Sequence, residues 1–284
     1  MEVATIKYNR PPVYQAVIQR LPFKKEAVAR TLGLLFGRRI KAVVNQSIVR
    51  LDLLESIQKS MFLGSYEPTQ TAWFKQCLSP GDVFIDVGAS FGWYTALGAL
   101  LVKPTGRVFA FEPSPIASQV VEEMIKDSMH QNVILTKAAV GRTTGNTSLF
   151  LPTTRDLHSP SILQSDPGFV PFPVPVIALD HFAPLGNVPK IKLVKIDVEG
   201  YEPDVLAGME RLIKEKRIEN IICEFNSGWL KRNSRTPNQL HERFLNLGYQ
   251  VHMQTRLQEI VNRNDGEHWS LQDFWFSLPT EKGD

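Results

Sequence analysis

The sequence has little cysteine and no long apolar run. Its two cysteines, Cys77 and Cys223, lie far apart among apolar residues and show no metal-ligand spacing. We interpret both as buried free thiols, which fits a reducing, cytoplasmic compartment. No apolar stretch reaches the roughly 18 residues that a membrane-spanning helix needs, and the N-terminus does not have the pattern of a secretory signal.

A large excess of charge of one sign is also absent. The chain has 32 basic and 29 acidic residues, for a formal net charge of +3, and no strong basic stripe, so nucleic acid is not an expected partner. The segment from Phe23 to Val44 mixes basic and apolar residues, as an interfacial amphipathic helix would. Gly33 and Gly37 interrupt it, so we favour a solvated covering helix without membrane contact.

What the sequence does contain is an alternation of short apolar runs and helical patterns. Runs typical of buried parallel strands lie at 83–87, 107–111, 133–137 with 139–140, 192–196 and 220–224. Helical patterns lie at 93–101, 118–128, 203–214 and 237–247. This alternation predicts an α/β fold with a Rossmann-like, doubly wound, mostly parallel seven-stranded sheet. Its last two strands, near 249–253 and 273–278, are expected to pair antiparallel.

The region before this alternation has a different pattern. Residues 1–65 are expected to form a helical and hairpin extension, with extended segments on both sides of Asn45-Gln46-Ser47. Residues 66–284 are expected to form the main domain. Between Pro152 and Pro189 the chain is rich in Pro, Ser and Gly, and a connection of this length is typically a lid or disordered.

The strand ends carry the residues most suited to ligand binding, because sheets of this type bind ligands beyond the carboxyl ends of their strands. The first such turn reads Asp86-Val87-Gly88-Ala89-Ser90-Phe91-Gly92. Its glycines permit a tight turn that brings backbone amides close to a ligand. Glu112 ends the next strand, where a carboxylate could accept hydrogen bonds from both hydroxyls of a ribose.

Asp86 separates two classes of cofactor. A nicotinamide fingerprint has the spacing G-x-G-x-x-G, and Asp86 stands where its first glycine would be. A carboxylate there would repel a pyrophosphate but attract the ammonium and sulfonium of S-adenosylmethionine (SAM). The turn therefore favours SAM, and an NAD-dependent oxidoreductase is the alternative from another enzyme class.

Several segments together resemble the FkbM family of SAM-dependent methyltransferases. They are 64–68, 81–89 with Gly92 and Tyr94, 111–113, 138–141 and, most specifically, 196–202 followed by 205–208. The resemblance covers about residues 60–280. It implies a class I methyltransferase fold and transfer to a hydroxyl of a small metabolite, such as a sugar or polyketide, with S-adenosylhomocysteine (SAH) as product. A non-catalytic SAM-binding scaffold is disfavoured, because the strand-end carboxylates are intact.

The resemblance also implies which residues bind the donor. They are Glu67, Asp86, Gly88, Ala89, Ser90, Gly92, Tyr94, Glu112, Ala139 and Asp197. In the family pattern, Glu112 would hold the ribose hydroxyls and Ala139 would border the adenine. Glu67 would lie near the amino-acid moiety, together with the turn after the first strand.

Methyl transfer to an alcohol needs alignment, exclusion of water and a base for the hydroxyl proton. Asp197 and Glu199 are the first candidates, because neighbouring carboxylates can raise one another's pKa. The alternative is that Asp197 binds a ligand and Glu199 caps the next helix. His158, on the long connection, is a third candidate, although an ordinary surface histidine is equally consistent.

The acceptor site is the least specified part of the sequence. The resemblance suggests that Ser159 and Ser161 face it, and Glu224 and Asn226 follow the fifth core strand, where they would bind substrate or tie down loops. The carboxylates could hold a divalent cation, but their spacing is poor support and we expect no metal. The expected partner is a hydroxyl-bearing small molecule, and a homodimer is compatible with the sequence.

Overall fold

A computed structural model of the chain describes residues 11–21, 24–36, 39–153, 160–163, 168–252 and 271–279. Its strands are β1 (Ile40–Val44), β2 (Ser47–Leu51), β3 (Val83–Val87), β4 (Arg107–Phe111), β5 (Val133–Thr136), β6 (Ala139–Val140), β7 (Gly145–Pro152), β8 (Phe169–Ile177), β9 (Ile191–Ile196), β10 (Ile218–Asn226), β11 (Gln250–Val251) and β12 (Leu271–Ser277). Its α-helices are α1 (Val13–Gln19), α2 (Lys25–Phe36), α3 (Ser56–Leu63), α4 (Pro68–Cys77), α5 (Trp93–Val102), α6 (Pro115–Ser128), α7 (Glu202–Gly208), α8 (Glu210–Lys214), α9 (Ser227–Arg232) and α10 (Pro237–Asn246).

Seven strands form the central sheet in the order β11-β12-β10-β9-β3-β4-β5. The neighbours from β10 to β5 pair parallel, and the predicted α/β fold class is therefore confirmed. The last two strands pair antiparallel, as expected. The last strand also inserts beside β10, with Glu224 opposite Asp273, so both of its edges are paired.

The central strands are buried on both faces, which explains their nearly continuous apolar sequence. Neighbouring residues of β3 point to opposite faces. Phe84 belongs to the core that includes side chains of α4, α5 and α6. Ile85 belongs to the core on the other face, which includes side chains of α7, α8 and α10.

The N-terminal extension packs on the first of these two cores. Asn45 and Gln46 have φ values of +46° and +65° and make the two-residue turn between β1 and β2, as in a type I′ hairpin. The completely buried Gln15 joins α1 to this hairpin and to α3. Its side-chain Nε2 donates to the carbonyl oxygens of Val43 at 2.9 Å and Phe62 at 3.1 Å. The division into residues 1–65 and 66–284 stays a prediction.

A second, three-stranded sheet has the order β6-β8-β7. Residues 139–140 therefore do not continue the third core strand, contrary to our expectation. The chain turns after β5, where the amide of Ala138 donates to the carbonyl oxygen of Thr136 at 2.9 Å, and the next two residues pair parallel with β8. This turn brings Ala139 beside the ends of the central strands.

Candidate functional site

A cavity of about 560 Å³ lies at the carboxyl ends of β3, β4, β9 and β10. The strand order changes direction between β3 and β9, and ligands bind at such a switch point in doubly wound sheets. The N-terminal region contributes Ile57 and Tyr66 to the wall, and the long connection contributes Pro160 and Ile162.

The turn after β3 holds its shape through the backbone. The amides of Gly88 and Ala89 both donate to the carbonyl oxygen of Phe111 at 3.0 Å. Gly88 has φ +84°, and a Cβ atom there would lie 1.9 Å from the carbonyl oxygen of Asp197. Only glycine fits this position without a backbone shift. Gly88 and Ser90 line the cavity, as predicted for donor-binding residues.

Glu112 reaches the cavity from the end of β4. Its Oε2 accepts a hydrogen bond from the amide of Ser90 at 2.7 Å, and its Oε1 accepts one from the amide of Ser114 at 2.7 Å. Burial raises the pKa of Glu112 to about 7, although both hydrogen bonds act to lower it. Each oxygen keeps a second lone pair, so the carboxylate could also accept hydrogen bonds from a ribose diol.

Among the predicted donor residues between positions 86 and 92, three lie outside the lining of the cavity: Asp86, Ala89 and Gly92. Asp86 is completely buried; its Oδ2 accepts a hydrogen bond from Thr95 Oγ1 at 2.6 Å, and its Oδ1 has no partner. Burial raises the pKa of Asp86 to about 6. Gly92 has φ +87° and precedes α5. Direct contact of these three residues with the donor stays a prediction.

Glu67 and Tyr94 form a hydrogen-bonded pair at the wall of the cavity. Glu67 lines the cavity and has a left-handed backbone, with φ +40°, directly before the proline that begins α4. The Tyr94 hydroxyl donates to Glu67 Oε2. Tyr94 itself is buried and does not line the cavity, so in this structure it orients Glu67 from behind the wall. Ala139, the residue expected beside the adenine, does line the cavity.

The side toward β9 and β10 carries three carboxylates. Asp197, Glu199 and Glu224 all line the cavity. Burial, together with the charges of Asp197 and Glu202, raises the pKa of Glu199 to about 8. Burial also raises the pKa of Glu224 well above its ordinary value, and its Oε2 has no hydrogen-bond partner.

Asn226 orients Glu199. Its Nδ2 donates to Glu199 Oε2 at 3.2 Å, while its Oδ1 accepts the amide of Trp229 at 3.3 Å and so caps α9. Asn226 therefore ties down the loops, which is one of the two expected roles. It also lines the cavity, and substrate binding stays a prediction.

The helix-capping alternative for Glu199 is wrong. The residue before α7 is Tyr201, and no side chain makes a capping hydrogen bond there. The loop amides bind Glu202 instead: its Oε1 accepts the amides of Gly200 at 3.0 Å and Val198 at 3.4 Å. Glu199 has φ +53°, and its carboxylate is directed to the cavity wall rather than to the helix.

Two residues near this site were missed by the sequence reasoning. Lys195 is buried, with 1 % of its surface exposed, and its Nζ lies 2.6 Å from Asp197 Oδ2. A charged residue inside an apolar strand pattern was the signal that could have identified it. Asp273 is paired with Glu224 across β10 and β12 and accepts a hydrogen bond from Gln70 Nε2 at 2.6 Å. Nothing in the local sequence around Asp273 indicates that contact.

Of the three predicted site residues on the long connection, Ser161 lies within the described residues. His158 and Ser159 lie outside the described residues, and their roles stay predictions. Ser161 is buried and does not line the cavity. Its Oγ donates to the carbonyl oxygen of Glu199 at 3.4 Å and accepts the amide of Leu163 at 3.1 Å, so it ties this connection to the β9 loop.

Within the described ranges, no group of three or more His, Cys, Asp or Glu side chains is arranged to hold a metal ion. In the same ranges, no helix combines the length and apolar character needed to cross a membrane.

Comparison with known proteins gives both a family and relatives. The model of the methyltransferase FkbM domain matches residues 86–251. A curated relative is the hexuronic acid methyltransferase AglP of Haloferax volcanii, 29% identical over 147 residues, which are 52% of this chain. The chain spans 57% of that protein's length.

Solved structures that are similar to this chain include the following two proteins. Precorrin-6y C5,15-methyltransferase of Geobacter metallireducens is 15% identical with a TM-score of 0.41, and the match covers 74% of this chain and 87% of that one. Fibrillarin of Aeropyrum pernix, solved with natively bound SAM, is 11% identical with a TM-score of 0.41, covering 73% of each chain.

The family match extends over more than half of the chain and includes the turn after β3 and the strand-end carboxylates. It confirms the predicted family and, with it, SAM as the cofactor, and it gives no support to the nicotinamide alternative. The chain belongs to the FkbM family of SAM-dependent methyltransferases.

Proposed function

We propose that the protein transfers the methyl group of SAM to a hydroxyl group of a sugar or a related small metabolite. The observation that carries this proposal is Glu199, a carboxylate with a pKa near 8 at the wall of the donor cavity. A base of this strength can accept a hydroxyl proton near neutral pH. The similarity to a hexuronic acid methyltransferase supports a sugar as the acceptor.

The reaction divides between the two sides of the cavity. On the β3 and β4 side, Glu112 would accept the ribose hydroxyls of SAM, and the turn at Gly88 would approach its methionine end. On the β9 and β10 side, the acceptor hydroxyl would lie in line with the sulfonium methyl group. As the oxygen attacks, the C–S bond breaks, SAH leaves with its electron pair, and the hydroxyl proton passes to Glu199.

The other carboxylates have different roles in this proposal. Asp197 already shares Oδ2 with Lys195, so we assign it to ligand orientation rather than to proton transfer. Glu224 has a free buried oxygen, and an acceptor with several hydroxyls could supply the missing hydrogen bond. Asn226 holds Glu199 in place and offers the same carboxamide to the acceptor.

The test is methyl transfer from SAM to matched sets of sugars: a neutral hexoside, the corresponding uronic acid and the corresponding amino sugar. SAH release would measure turnover, and NMR of the product would show whether the new methyl group is on oxygen. Methylation at oxygen is the expected result. A folded, SAM-binding protein that methylates only nitrogen in this set would contradict the proposal.

Glu199→Gln tests the base. We expect kcat to fall by about 10² to 10⁴, the usual contribution of a general base, with little change in SAM affinity. In the native enzyme, kcat should rise between about pH 7 and pH 9, because the ionised fraction of Glu199 rises through its pKa of about 8. Glu122→Gln, at an exposed carboxylate on α6, is the control. Near-normal kcat in Glu199→Gln would remove Glu199 as the base.

A further inference from the structure

Lys195 is a buried cation in the middle of an apolar strand. It belongs to β9, between Val194 and Ile196, and only 1 % of its surface is exposed. Burying an ammonium group costs several kcal/mol unless the group is paired. Residues two apart on a strand share one face, and this geometry brings Lys195 Nζ within 2.6 Å of Asp197 Oδ2.

Acidic groups approach Lys195 from every element packed against it. Its Nζ lies 4.8 Å from the centre of the Tyr94 ring on α5. The carboxylates that interact electrostatically with it come from the segment before α4, from β3, from the end of β9, from β10 and from β12: Glu67, Asp86, Asp197, Glu199, Glu224 and Asp273. Lys195 is the only cation among these groups.

Lys195 remains an ammonium in this environment. Burial alone would lower the pKa of Lys195, but the charges of Asp197, Asp273 and Glu67 hold it well above the ordinary value. Asp197 is the one carboxylate of the group that bonds Lys195 directly and also lines the cavity. The cation therefore acts on the cavity through Asp197.

We propose that Lys195 is a positioning residue of the donor site, which holds Asp197 as an oriented anion for the ammonium group of SAM. Asp197 is well placed for that contact, because its carbonyl oxygen lies directly against Gly88, in the turn that approaches the methionine end of the donor. The proposal rests on SAM as the donor and is independent of the acceptor.

Removal of the charge leads to a specific consequence. Without the ammonium, Asp197 Oδ2 would lose the hydrogen-bond donor that lies 2.6 Å away, and its carboxylate would no longer be held in one orientation. The neighbouring carboxylates Glu199 and Glu224 would add like-charge repulsion. Donor binding should therefore weaken in the variant, and the loss should require the carboxylate of Asp197.

The experiment compares wild type, Lys195→Met, Asp197→Asn and the double variant. Calorimetry would give the Kd of SAM and SAH, and thermal unfolding would report the stability of each variant. In the wild-type background, Lys195→Met should raise the Kd of SAM about tenfold, as expected when one charged contact loses its orientation. In the Asp197→Asn background, Lys195→Met should change the Kd by less than about twofold.

A packing role predicts a different outcome. In that case, Lys195→Met would lower the unfolding temperature and weaken donor binding by the same factor in the wild-type and the Asp197→Asn backgrounds, and the proposal would be overturned. Unchanged affinity in the wild-type background would also overturn it. If the methionine variant does not fold, Lys195→Gln keeps a hydrogen-bond donor without the charge and is judged by the same comparison of the two backgrounds. Failure to methylate any sugar would refute the proposed function but leave this result unaffected.

Discussion

The two sides of the cavity hold their carboxylates in opposite ways. On the donor side, both oxygens of Glu112 accept backbone amides at 2.7 Å. On the acceptor side, Glu224 has a buried oxygen with no partner, and Glu199 is held by the side-chain amide of Asn226 at 3.2 Å. The donor side is organised by the backbone, whereas the acceptor side depends on side chains and charge.

This difference matches the two ligands. SAM is the same molecule in every turnover and in every member of such a family, so a rigid backbone turn can be shaped to it. The acceptor differs between enzymes, and side chains at strand ends can change without disturbing the sheet. Unsatisfied carboxylates also cost stability in the empty protein, which an acceptor with several hydroxyls would offset on binding.

Gly88→Ala should have the largest effect and would act on the donor side. The new Cβ would lie 1.9 Å from the Asp197 carbonyl oxygen, and φ is +84°. The left-handed backbone alone costs about 1 to 2 kcal/mol for alanine, and relief of the clash needs a shift of two strand ends. We expect SAM affinity, measured by calorimetry, to fall by on the order of 100-fold or more.

Gly145→Ala is the matched control, because a Cβ there would meet nothing within 4 Å. It should leave donor binding unchanged. Near-normal SAM binding by a folded Gly88→Ala protein would show that the donor turn tolerates displacement, which would remove the contrast between the two sides.

Glu112→Gln tests whether the Glu112 carboxylate binds the donor as well as the loop amides. Both oxygens accept backbone amides, so the NH₂ group of glutamine must face one donor and lose that hydrogen bond. Hydrogen bonds to charged groups contribute about 1.5 to 3 kcal/mol, so the Kd of SAH should rise about 10- to 100-fold. Calorimetry would measure it, with Glu122→Gln as the control. Equal affinity in both variants would mean that Glu112 serves the loop and not the donor.

Glu224→Gln should produce the smallest effect, and it should stabilise the protein. Burial raises the pKa of Glu224 above its ordinary value of 4.5, so the folded state loses stability relative to the unfolded chain as pH rises from about 4 toward neutrality. Glutamine removes that charge. We expect the variant to be more stable than wild type by about 1 to 3 kcal/mol near pH 8, with no difference near pH 4.

Thermal unfolding at both pH values would measure this change, and the Kd of SAH should stay within about threefold of the wild-type value. A variant that is less stable than wild type near pH 8 would show that Glu224 has a partner that stabilises its charge. The acceptor side would then be as well satisfied as the donor side.

Local sequence patterns were sufficient to predict those elements whose conformation depends mainly on neighbouring residues. The central strands β3, β4, β5, β9 and β10 were predicted because short apolar runs between turn residues are typical of strands buried on both faces. The hairpin at Asn45 and Gln46 was predicted from turn residues that tolerate positive φ. Glu112 and Asp197 were placed at the cavity because parallel strands end at one edge of the sheet.

The parts that were missed depend on distant partners or on weak local signals. The helix α3 has only eight residues, and its N-cap is Glu55, which is not among the preferred capping residues. The role of Lys195 depends on carboxylates from several other elements, and Asp273 reaches the site only through the register of β12 on β10. Local patterns carry no information on such long-range pairings.

The contact between Gly88 and Asp197 also limits how this enzyme could be re-engineered. The end of one strand rests directly on the backbone of the next, so the loop at 197–200 cannot be exchanged for that of a relative without moving the methyl donor. Under the proposed function, variation in acceptor choice would come from wall side chains outside that loop, such as Pro160 and Ile162. A library confined to those positions would explore new acceptors and leave the alignment of the transferred carbon intact.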